Sequence, residues 1–517
     1  MDSSSPASLR LVAPSADERR GLLIASAVVV AALCALILAE LGDYSLRVLA
    51  PVTLLVVGVA VSYRRLFAWR SLVGLIVLVI LFIPIRRYTL PSSLPFHLEP
   101  YRLVVALVCA AWLTSLLIDR RIRLRRTPVD APLLAFAAAI ILSLFANRAR
   151  VASVQPDVIK SLLFFASFFL VVYVVSSVIR RRRDLDLVVK LLAGGGTVVA
   201  VCALFESYTG YNVFNHLRTV APFLQQTAVT VDPGRGARLR VFASAQHPIA
   251  LSCALTMLAP LAAYLAIATG RRRWWGAAIL LFVGGLSAIA RTDLTVVLAV
   301  VVVYVWLRPR HMKRLWPALI PMVIVVHFAL PGAIGSFKSS LFPRGGLFAQ
   351  EAKNSVGSGR LATAPVVLRN EFRPDPLFGE GFSTRVVTPD EFVQKANAPI
   401  LDDEMLGVLV ETGLLGAFAL AWLFVRFVRR LAHEARCDKS PRGWLLTGLA
   451  ASVAGYGVSM FTYDSFAFIQ VTFLLFVFLG LGAAALRLDR DAWAEGGDPE
   501  RVRAHVRRRP LPDTQPA

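Results

Sequence analysis

Residues 401 to 427 read LDDEMLGVLVETGLLGAFALAWLFVRF. Three acidic residues stand at the start of this stretch, and an apolar run long enough to cross a bilayer follows them. Acidic residues are favoured where a helix begins, because they cap free backbone N–H groups and interact well with the helix dipole. The stretch therefore predicts a membrane helix that begins at an acidic cluster.

The whole chain has the composition of a membrane protein. Of its 517 residues, 56% are hydrophobic and 17% are charged, against about 45–50% and about 25% in soluble domains. Apolar runs near the length of a bilayer span recur from end to end, so we expect an all-α polytopic integral membrane protein with about fourteen transmembrane helices. The predicted spans are 21–39, 46–62, 71–85, 103–118, 129–146, 161–179, 186–205, 245–268, 274–290, 294–307, 315–335, 405–428, 443–461 and 466–486.

The distribution of arginine between the connectors predicts the topology. Alternate connectors are strongly basic, and the positive-inside rule places these in the cytoplasm: Arg64-Arg65, Arg120 to Arg126, Arg180 to Arg183, Arg271 to Arg273, Arg308 to Arg314, and Arg426 to Arg442. The intervening connectors, which contain Arg47, Arg86-Arg87, Arg148 with Arg150, and Arg291, then lie outside. The protein is expected in the cytoplasmic (inner) membrane with both termini in the cytoplasm.

This topology divides the chain into six regions. They are a cytoplasmic tail (1–20), N-terminal membrane helices (21–205), central membrane helices with outer-face arginines (206–335), a long, partly helical extracytoplasmic loop (336–403), C-terminal membrane helices (404–487) and a basic cytoplasmic tail (488–517). A shorter outer loop spans about 206–244. Residues 1–39 resemble a signal peptide, but no convincing cleavage site follows, so a retained first helix is predicted.

The net charge of +23 does not indicate nucleic-acid binding. The arginines cluster at helix ends, as topology determinants do, and no basic platform with interleaved aromatic residues is present. Cys34, Cys109, Cys202 and Cys253 lie in apolar spans and Cys437 lies in a basic connector. Their spacing fits neither a disulfide framework nor a metal site.

The first candidate for chemistry is the stretch RGARLRVFASAQHPIALS, residues 235–252. Arg235 can be explained by snorkelling beside the membrane. Arg238 and Arg240 would present two permanently charged forks to a diphosphate or a carboxylate. His247, just before Pro248, is either a helix-entry residue bonded to the backbone or a substrate contact.

A second outer arginine, Arg291, lies in SAIARTDL (residues 287–294) between two apolar spans. Either this is a solvated hairpin in which Asp293 pairs with Arg291, or Arg291 has a function.

The long outer loop supplies the remaining candidates: Arg360, the turn PLFGEGF (Pro376 to Phe382) around Glu380, and the pair Asp402 and Asp403. Glycines on both sides of Glu380 permit a tight turn. N-capping of the next helix explains one of the two aspartates and leaves the other unexplained. Glu411 lies about two turns further along that helix, where an ionisable side chain is costly and therefore a functional candidate.

Four of these patterns together resemble the O-antigen ligase and polymerase-like superfamily over roughly residues 150–485. They are Arg-x7-Pro at Arg240 to Pro248, the Arg-Thr turn at Arg291, PLFGEGF at Pro376 to Phe382, and DDxxLxxLxETGLLG at Asp402 to Gly416. The resemblance rests on their order and their shared placement outside, since no single motif is decisive.

The resemblance implies a glycosyltransferase that acts at the outer face of the membrane, inverts the anomeric centre, and needs no metal or cofactor. Such proteins move a glycan from a polyprenyl diphosphate carrier to an acceptor hydroxyl on a lipid-anchored sugar or on another carrier-linked glycan. It implies that Arg240 and Arg291 bind the diphosphate, assisted by Arg238 and Arg360. His247 and Glu380 are further substrate-binding candidates.

The chain departs from the family pattern where a catalytic histidine is expected. Asp402 stands at the His position and Asp403 at the Asn position. Asp-containing versions resemble a subgroup that acts on polysaccharides other than lipopolysaccharide. Acceptor activation is therefore assigned to Asp402, with Asp403 and Glu411 in support, and the general base remains open. A partly buried carboxylate can deprotonate a hydroxyl.

Two other classes remain as alternatives. A transporter or flippase of lipid-linked glycans would share the architecture, but should have charged or broken helices near the midplane; Lys190 is a candidate that can also snorkel. A scaffold or sensor should have a sizeable soluble domain, and none is predicted. Tyr463-Asp464, in the last outer turn, either faces the cavity or is a simple polar turn. Expected partners are the lipid-linked donor, the acceptor and membrane lipids, without nucleic acid.

Overall fold

A computed structural model of the chain describes residues 68–91, 98–118, 124–227, 240–330, 332, 335, 360–386, 401–488 and 493. The chain divides into two compact units, Met1–Leu72 and Val73–Ala517. Only residues 68–72 of the first unit are described. The predicted spans at 21–39 and 46–62, and the candidates Arg235 and Arg238, lie outside the described residues.

The described part of the chain is mostly helical. Its α-helices are, in order, α1 (Trp69–Phe82), α2 (Pro100–Ile118), α3 (Asp130–Ala146), α4 (Arg148–Ser153), α5 (Gln155–Val178), α6 (Arg182–Thr209), α7 (Pro248–Thr269), α8 (Arg272–Leu286), α9 (Arg291–Leu307), α10 (Pro309–Leu315), α11 (Leu319–Ala329), α12 (Arg360–Val367), α13 (Glu404–Cys437), α14 (Pro441–Ser459) and α15 (Ile469–Arg487). Two short strands, β1 (Tyr88–Thr89) and β2 (Gln225–Gln226), pair in antiparallel orientation.

The predicted class, an all-α multi-pass membrane protein, agrees with this architecture. Among the described residues, six helices are long and apolar enough to cross a membrane: α2, α5, α6, α7, α13 and α15. The remaining predicted spans from 71 onward also coincide with helices, but several of these are short; α8 has 15 residues and α9 has 17. The structure therefore supports a multi-pass protein without establishing fourteen spans.

A bend lies at the start of the span predicted at 315–335. Pro309–Leu315 and the helix that follows it meet at an angle of 60°. Pro317 stands at the break, in the short 3₁₀ segment Trp316–Ala318. Proline has no N–H to donate and its ring clashes with the preceding turn, so a straight helix through this position is disfavoured. The bent pair has the composition of a single broken span.

Two helices, α7 and α15, form the centre of the second unit. In their most apolar windows, 83% and 94% of the residues are buried, whereas only 28% are buried in α2. Helices that are apolar on all sides pack in the interior, and the helices around them cover their surfaces. The N-terminus of α7 is the point at which the Arg240 to Pro248 segment enters this centre.

A glycine allows helices α5 and α15 to lie in close contact. A Cβ atom added at Gly480 in α15 would lie 2.7 Å from Cβ of Val175 and 3.0 Å from the carbonyl oxygen of Val172, both in α5. Membrane helices often approach one another through small residues in this way. The α5–α15 contact therefore depends on the absence of a side chain at position 480.

We expect Gly480→Ala to destabilise the protein by about 1–3 kcal/mol, because a rigid neighbour must move to admit the methyl group. Thermal unfolding in detergent measures the effect. Gly194→Ala is the matched control, since a Cβ atom at Gly194 in α6 would have nothing within 4 Å. Equal melting temperatures for the two variants would contradict the close α5–α15 packing.

Candidate functional site

The connectors predicted to lie outside the membrane contact one another. Arg87 contacts the segment 240–247, Arg150 contacts Glu380 in the long loop, and His247 packs against Phe468 in the connector between α14 and α15. These contacts join stretches that are far apart in sequence and that the arginine pattern placed on the same side. They place His247 and the segment of Arg240 against two other connectors, and Glu380 against the connector of Arg150.

Helix α13 is interrupted at Gly413, whose φ and ψ angles of 66° and −166° are not helical. The PLFGEGF turn occupies the break. The N–H of Glu380 donates to the carbonyl of Val410 (2.9 Å), the N–H of Gly381 donates to that of Glu411 (3.2 Å), and the N–H of Leu414 donates to the carbonyl of Pro376 (2.9 Å). The turn thus supplies partners for backbone groups that the break would otherwise leave unpaired. Each unpaired group would cost several kcal/mol in a bilayer.

Two glycines make this docking possible. A Cβ atom at Gly413 would collide with the carbonyl oxygen of Leu377 and lie 2.7 Å from the nitrogen of Phe378. A Cβ atom at Gly379 would collide with the carbonyl oxygen of Val410 and lie 2.7 Å from the nitrogen of Gly413. The φ angle is 69° at Gly379 and 66° at Gly413, both in the region that favours glycine. The GEG and ETG motifs are therefore packing partners.

Polar side chains of α3, of α4 and of Asn147 between them hold the docked turn and the break in α13. Asn147 donates to the carbonyl of Gly379 (2.7 Å), and Ser143 donates to that of Glu411 (2.6 Å). Arg150 forms an ion pair of 2.7 Å with Glu380. Burial raises the pKa of Glu380, and the neighbouring Arg150 opposes that shift. Glu380 thus has a structural partner in addition to the substrate contact predicted for it.

Glu411 reaches back to the same loop. One oxygen of its carboxylate accepts the backbone N–H of Ser383 at 2.9 Å. The helix carboxylate that the sequence marked as costly is therefore satisfied by the residue that follows the PLFGEGF turn. Glu380 and Glu411 belong to one assembly, with the turn between them.

The two aspartates that precede α13 have different roles. Asp403 is the N-cap, and its side chain accepts the N–H of Leu406 at 3.0 Å. Asp402 is exposed one residue earlier. Glu404 is buried; its N–H donates to the carbonyl of Met460 (2.8 Å) and its carboxylate accepts the N–H of Phe466 (2.8 Å). Asp402 is thus the carboxylate that N-capping does not explain.

His247 is the N-cap of α7, where its Nδ1 accepts the N–H of Ile249 at 3.2 Å. This is the helix-entry role that the sequence left as one of two alternatives. The imidazole also lies 5.4 Å from the ring of Phe468 between centroids. Arg240, seven residues before His247, is buried.

Arg291 is the first residue of α9. Two residues later, Asp293 is fully buried and accepts the hydroxyl of Thr256 in α7 at 2.5 Å. Thr256 lies about 12 Å along α7 from its first residue. This pair links the first turn of α9 to the third turn of α7.

Three helices begin around the C-terminal end of α14. Glu404 at the start of α13 bonds to Met460, and Cys253 in the first turns of α7 lies 3.8 Å from the hydroxyl of Ser459. Helix α9 runs antiparallel to α14, with Val296 beside Gly455 and Arg308 beside Thr447. The N-terminal ends of α7, α9 and α13 therefore lie towards one region, and helix N-termini attract anions.

The described part of the chain covers seven of the nine candidate residues with their side chains. Arg238 lies outside it, and Arg360 is described only as the first residue of α12. Among described residues, no group of three or more His, Cys, Asp or Glu side chains is arranged to hold a metal ion. Neither the protein-family models nor the curated proteins include a match to this chain.

Several residues that hold the site carried weaker signals in the sequence. In the sequence, Arg87 and Arg150 stand out only as charges in outer connectors, and Glu206 belongs to none of the motifs. An acidic residue near the end of an apolar helix is costly there, so Glu206 could have been noted on that ground. Asn147 and Ser143 carried no signal, because their role depends on a loop more than 200 residues away.

We expect Gly413→Ala to undock the PLFGEGF turn, because a methyl group would collide with backbone that cannot move cheaply and would also disfavour the positive φ. Hydrogen exchange of residues 376–384 should become at least about tenfold faster. Gly407→Ala is the control in the same helix, since a Cβ atom there would have nothing within 4 Å. Unchanged exchange in the Gly413 variant would argue against the docking.

Proposed function

We propose that the protein is a glycosyltransferase of the O-antigen ligase and polymerase type. It would move a glycan from a polyprenyl diphosphate carrier to an acceptor hydroxyl at the outer face of the cytoplasmic membrane, in the synthesis of a cell-surface polysaccharide. The observation that carries the proposal is the convergence of the N-termini of α7 and α9, of which the first follows the segment of Arg240 and the second begins at Arg291. This combination suits a diphosphate.

The proposed reaction is a single displacement. The acceptor oxygen attacks the anomeric carbon on the face opposite the diphosphate, the bond from that carbon to the phosphate oxygen breaks, and the acceptor proton passes to a carboxylate. Negative charge develops on the leaving diphosphate. Arginine side chains that are already in position when the reaction begins stabilise this charge most effectively in a site with little water. Arg240 and Arg291 have that role in the proposal.

Asp402 is the proposed proton acceptor. Its side chain is exposed at the entry of α13, next to Asp403, which caps the helix, and about two turns before Glu411, which accepts a backbone N–H. An exposed carboxylate at this position can meet an acceptor hydroxyl without rearrangement of the helix. Asp403 and Glu411 would then support the site by holding the helix and the loop.

A flippase of lipid-linked glycans is the second candidate, and the break in α13 at Gly413 favours it, because transporters often bind substrate at broken helices. In such sites, however, the unpaired backbone groups face the substrate. Here the backbone of the PLFGEGF turn already occupies them. The break therefore supports loop docking better than it supports a transport site.

We expect Arg291→Ala to lower glycan transfer by about 100-fold or more, the usual effect of removing a group that stabilises developing charge. Purified protein with a labelled polyprenyl diphosphate glycan allows the released polyprenyl diphosphate and the transferred glycan to be measured together. Arg218→Ala, at an exposed arginine of another outer connector, controls for the loss of positive charge and should retain activity. Movement of the labelled lipid without bond cleavage in the wild-type protein would identify the flippase instead.

We expect Asp402→Asn to lower turnover by about 100-fold or more while the affinity for the donor is kept, because an amide cannot accept the proton. The matched variant Asp403→Asn keeps a capping oxygen and should have a much smaller effect. Turnover and donor affinity are measured for both variants. Normal turnover in the Asp402 variant would remove that residue from the role of base and make His247 the next candidate.

A further inference from the structure

We propose that Arg87, Glu206 and Asn212 form a clasp that holds residues 240–247 in one conformation and so positions Arg240 for the donor. The three side chains come from the connector before α2, from the end of α6, and from the loop that follows α6. The inference rests on the proposed function, since it assigns to these residues the positioning of a group that binds the diphosphate. None of the three is proposed to touch the substrate.

Glu206 and Asn212 hold the segment from one side. Glu206 accepts the backbone N–H of Ala243 at 2.8 Å and that of Phe242 at 3.4 Å. Asn212 donates to the same carboxylate at 3.0 Å and to the carbonyl of Ala243 at 3.1 Å. Two consecutive amides of the segment are thus bound to one buried carboxylate.

Arg87 holds the segment from the other side. Its guanidinium donates to the carbonyl of Ala243 at 2.8 Å and to the carbonyl of Ala245, and it lies 4.4 Å from the centroid of the Phe242 ring. Its third partner is the side chain of Asn215, at 3.1 Å. The planar fork of arginine can serve several acceptors in fixed directions, which a lysine ammonium does not match.

The bonds of the clasp meet at Ala243, where the backbone is strained. The φ angle of Ala243 is 41°, in the region that residues with a Cβ atom seldom adopt. Its N–H is bound to Glu206, and its carbonyl is bound to Arg87 and Asn212. Such a conformation persists only where the surroundings determine it. Without the clasp, the backbone at Ala243, three residues after Arg240, would adopt another conformation.

The clasp is itself held in place. The carbonyl of Arg87 accepts the N–H of Thr227 at 2.9 Å, and Tyr88 donates to the carbonyl of Phe214 at 2.9 Å. The pairing of β1 with β2 joins the same two connectors. Arg87 and Glu206 are both buried, and burial of charges is costly compared with apolar packing. Burial lowers the pKa of Arg87 to about 10, with Glu206 opposing the shift, so Arg87 stays cationic at neutral pH.

The first test concerns the clasp alone. In Arg87→Ala, hydrogen exchange at Phe242 and Ala243 should become at least about tenfold faster, because the carbonyls of Ala243 and Ala245 lose the guanidinium that donates to them. Glu206→Gln keeps an oxygen for the N–H of Ala243, so we expect a smaller change than in Glu206→Ala. Exchange in Arg87→Ala equal to that of the wild type would overturn the proposal.

The second test concerns positioning. Arg87→Ala should weaken binding of a polyprenyl diphosphate without glycan by about tenfold, approaching the loss in Arg240→Ala, and should lower kcat/KM for the donor while KM for the acceptor stays unchanged. Arg442→Ala is the matched control, because that buried arginine also donates to backbone carbonyls, at Leu488 and Ala485. It should lower the melting temperature and leave donor binding and residues 240–247 unchanged.

The outcomes separate the clasp from the proposed function. Faster exchange with unchanged binding of the diphosphate would overturn the positioning role of Arg87. Equal effects of Arg87→Ala and Arg442→Ala on donor binding would also overturn it, because any loss of stability would then explain the result. If the wild-type protein transfers no glycan but binds the diphosphate, and Arg87→Ala weakens that binding, the proposed function fails and the positioning of Arg240 stands.

Discussion

The structure depends on the rule that backbone N–H and carbonyl groups inside a bilayer need partners within the protein. Helix α13 violates the regular pattern at Gly413, and the PLFGEGF turn supplies partners from its own backbone. A polar loop is thereby bound to a membrane helix through main-chain hydrogen bonds, to which the Glu411 carboxylate adds one from a side chain. This attachment fixes Glu380 and Glu411 relative to each other.

Buried charges at the same end of the molecule follow a related pattern. Arg87, Glu206 and Glu404 are buried, and each is bonded to backbone groups of a connector. Charged side chains make stronger hydrogen bonds to the backbone than neutral ones, so they can hold irregular segments that helices cannot. In the described part of the chain, these three charges thus hold two irregular connectors in place.

These constraints bear directly on the proposed chemistry. Transfer from a lipid diphosphate requires cations and a carboxylate held at fixed positions in a region with little water. The segment of Arg240 is held by the clasp, Arg291 begins α9, and Asp402 precedes the N-cap of α13. Arg291 and Asp402 thus lie at the ends of helices, which are more rigid supports than a free loop.

The sequence by itself determined the helical membrane class, because hydropathy acts locally along the chain. It predicted that N-capping would use one aspartate of the Asp402–Asp403 pair, but not which one. Only the tertiary structure decided that the GEG and ETG motifs dock together, that Arg87 and Glu206 hold residue 243, and that a bend of 60° precedes the helix of the span predicted at 315–335. The first two depend on contacts between residues distant in sequence, whose partners no local pattern records, and the bend lies at Pro317, which hydropathy alone does not register.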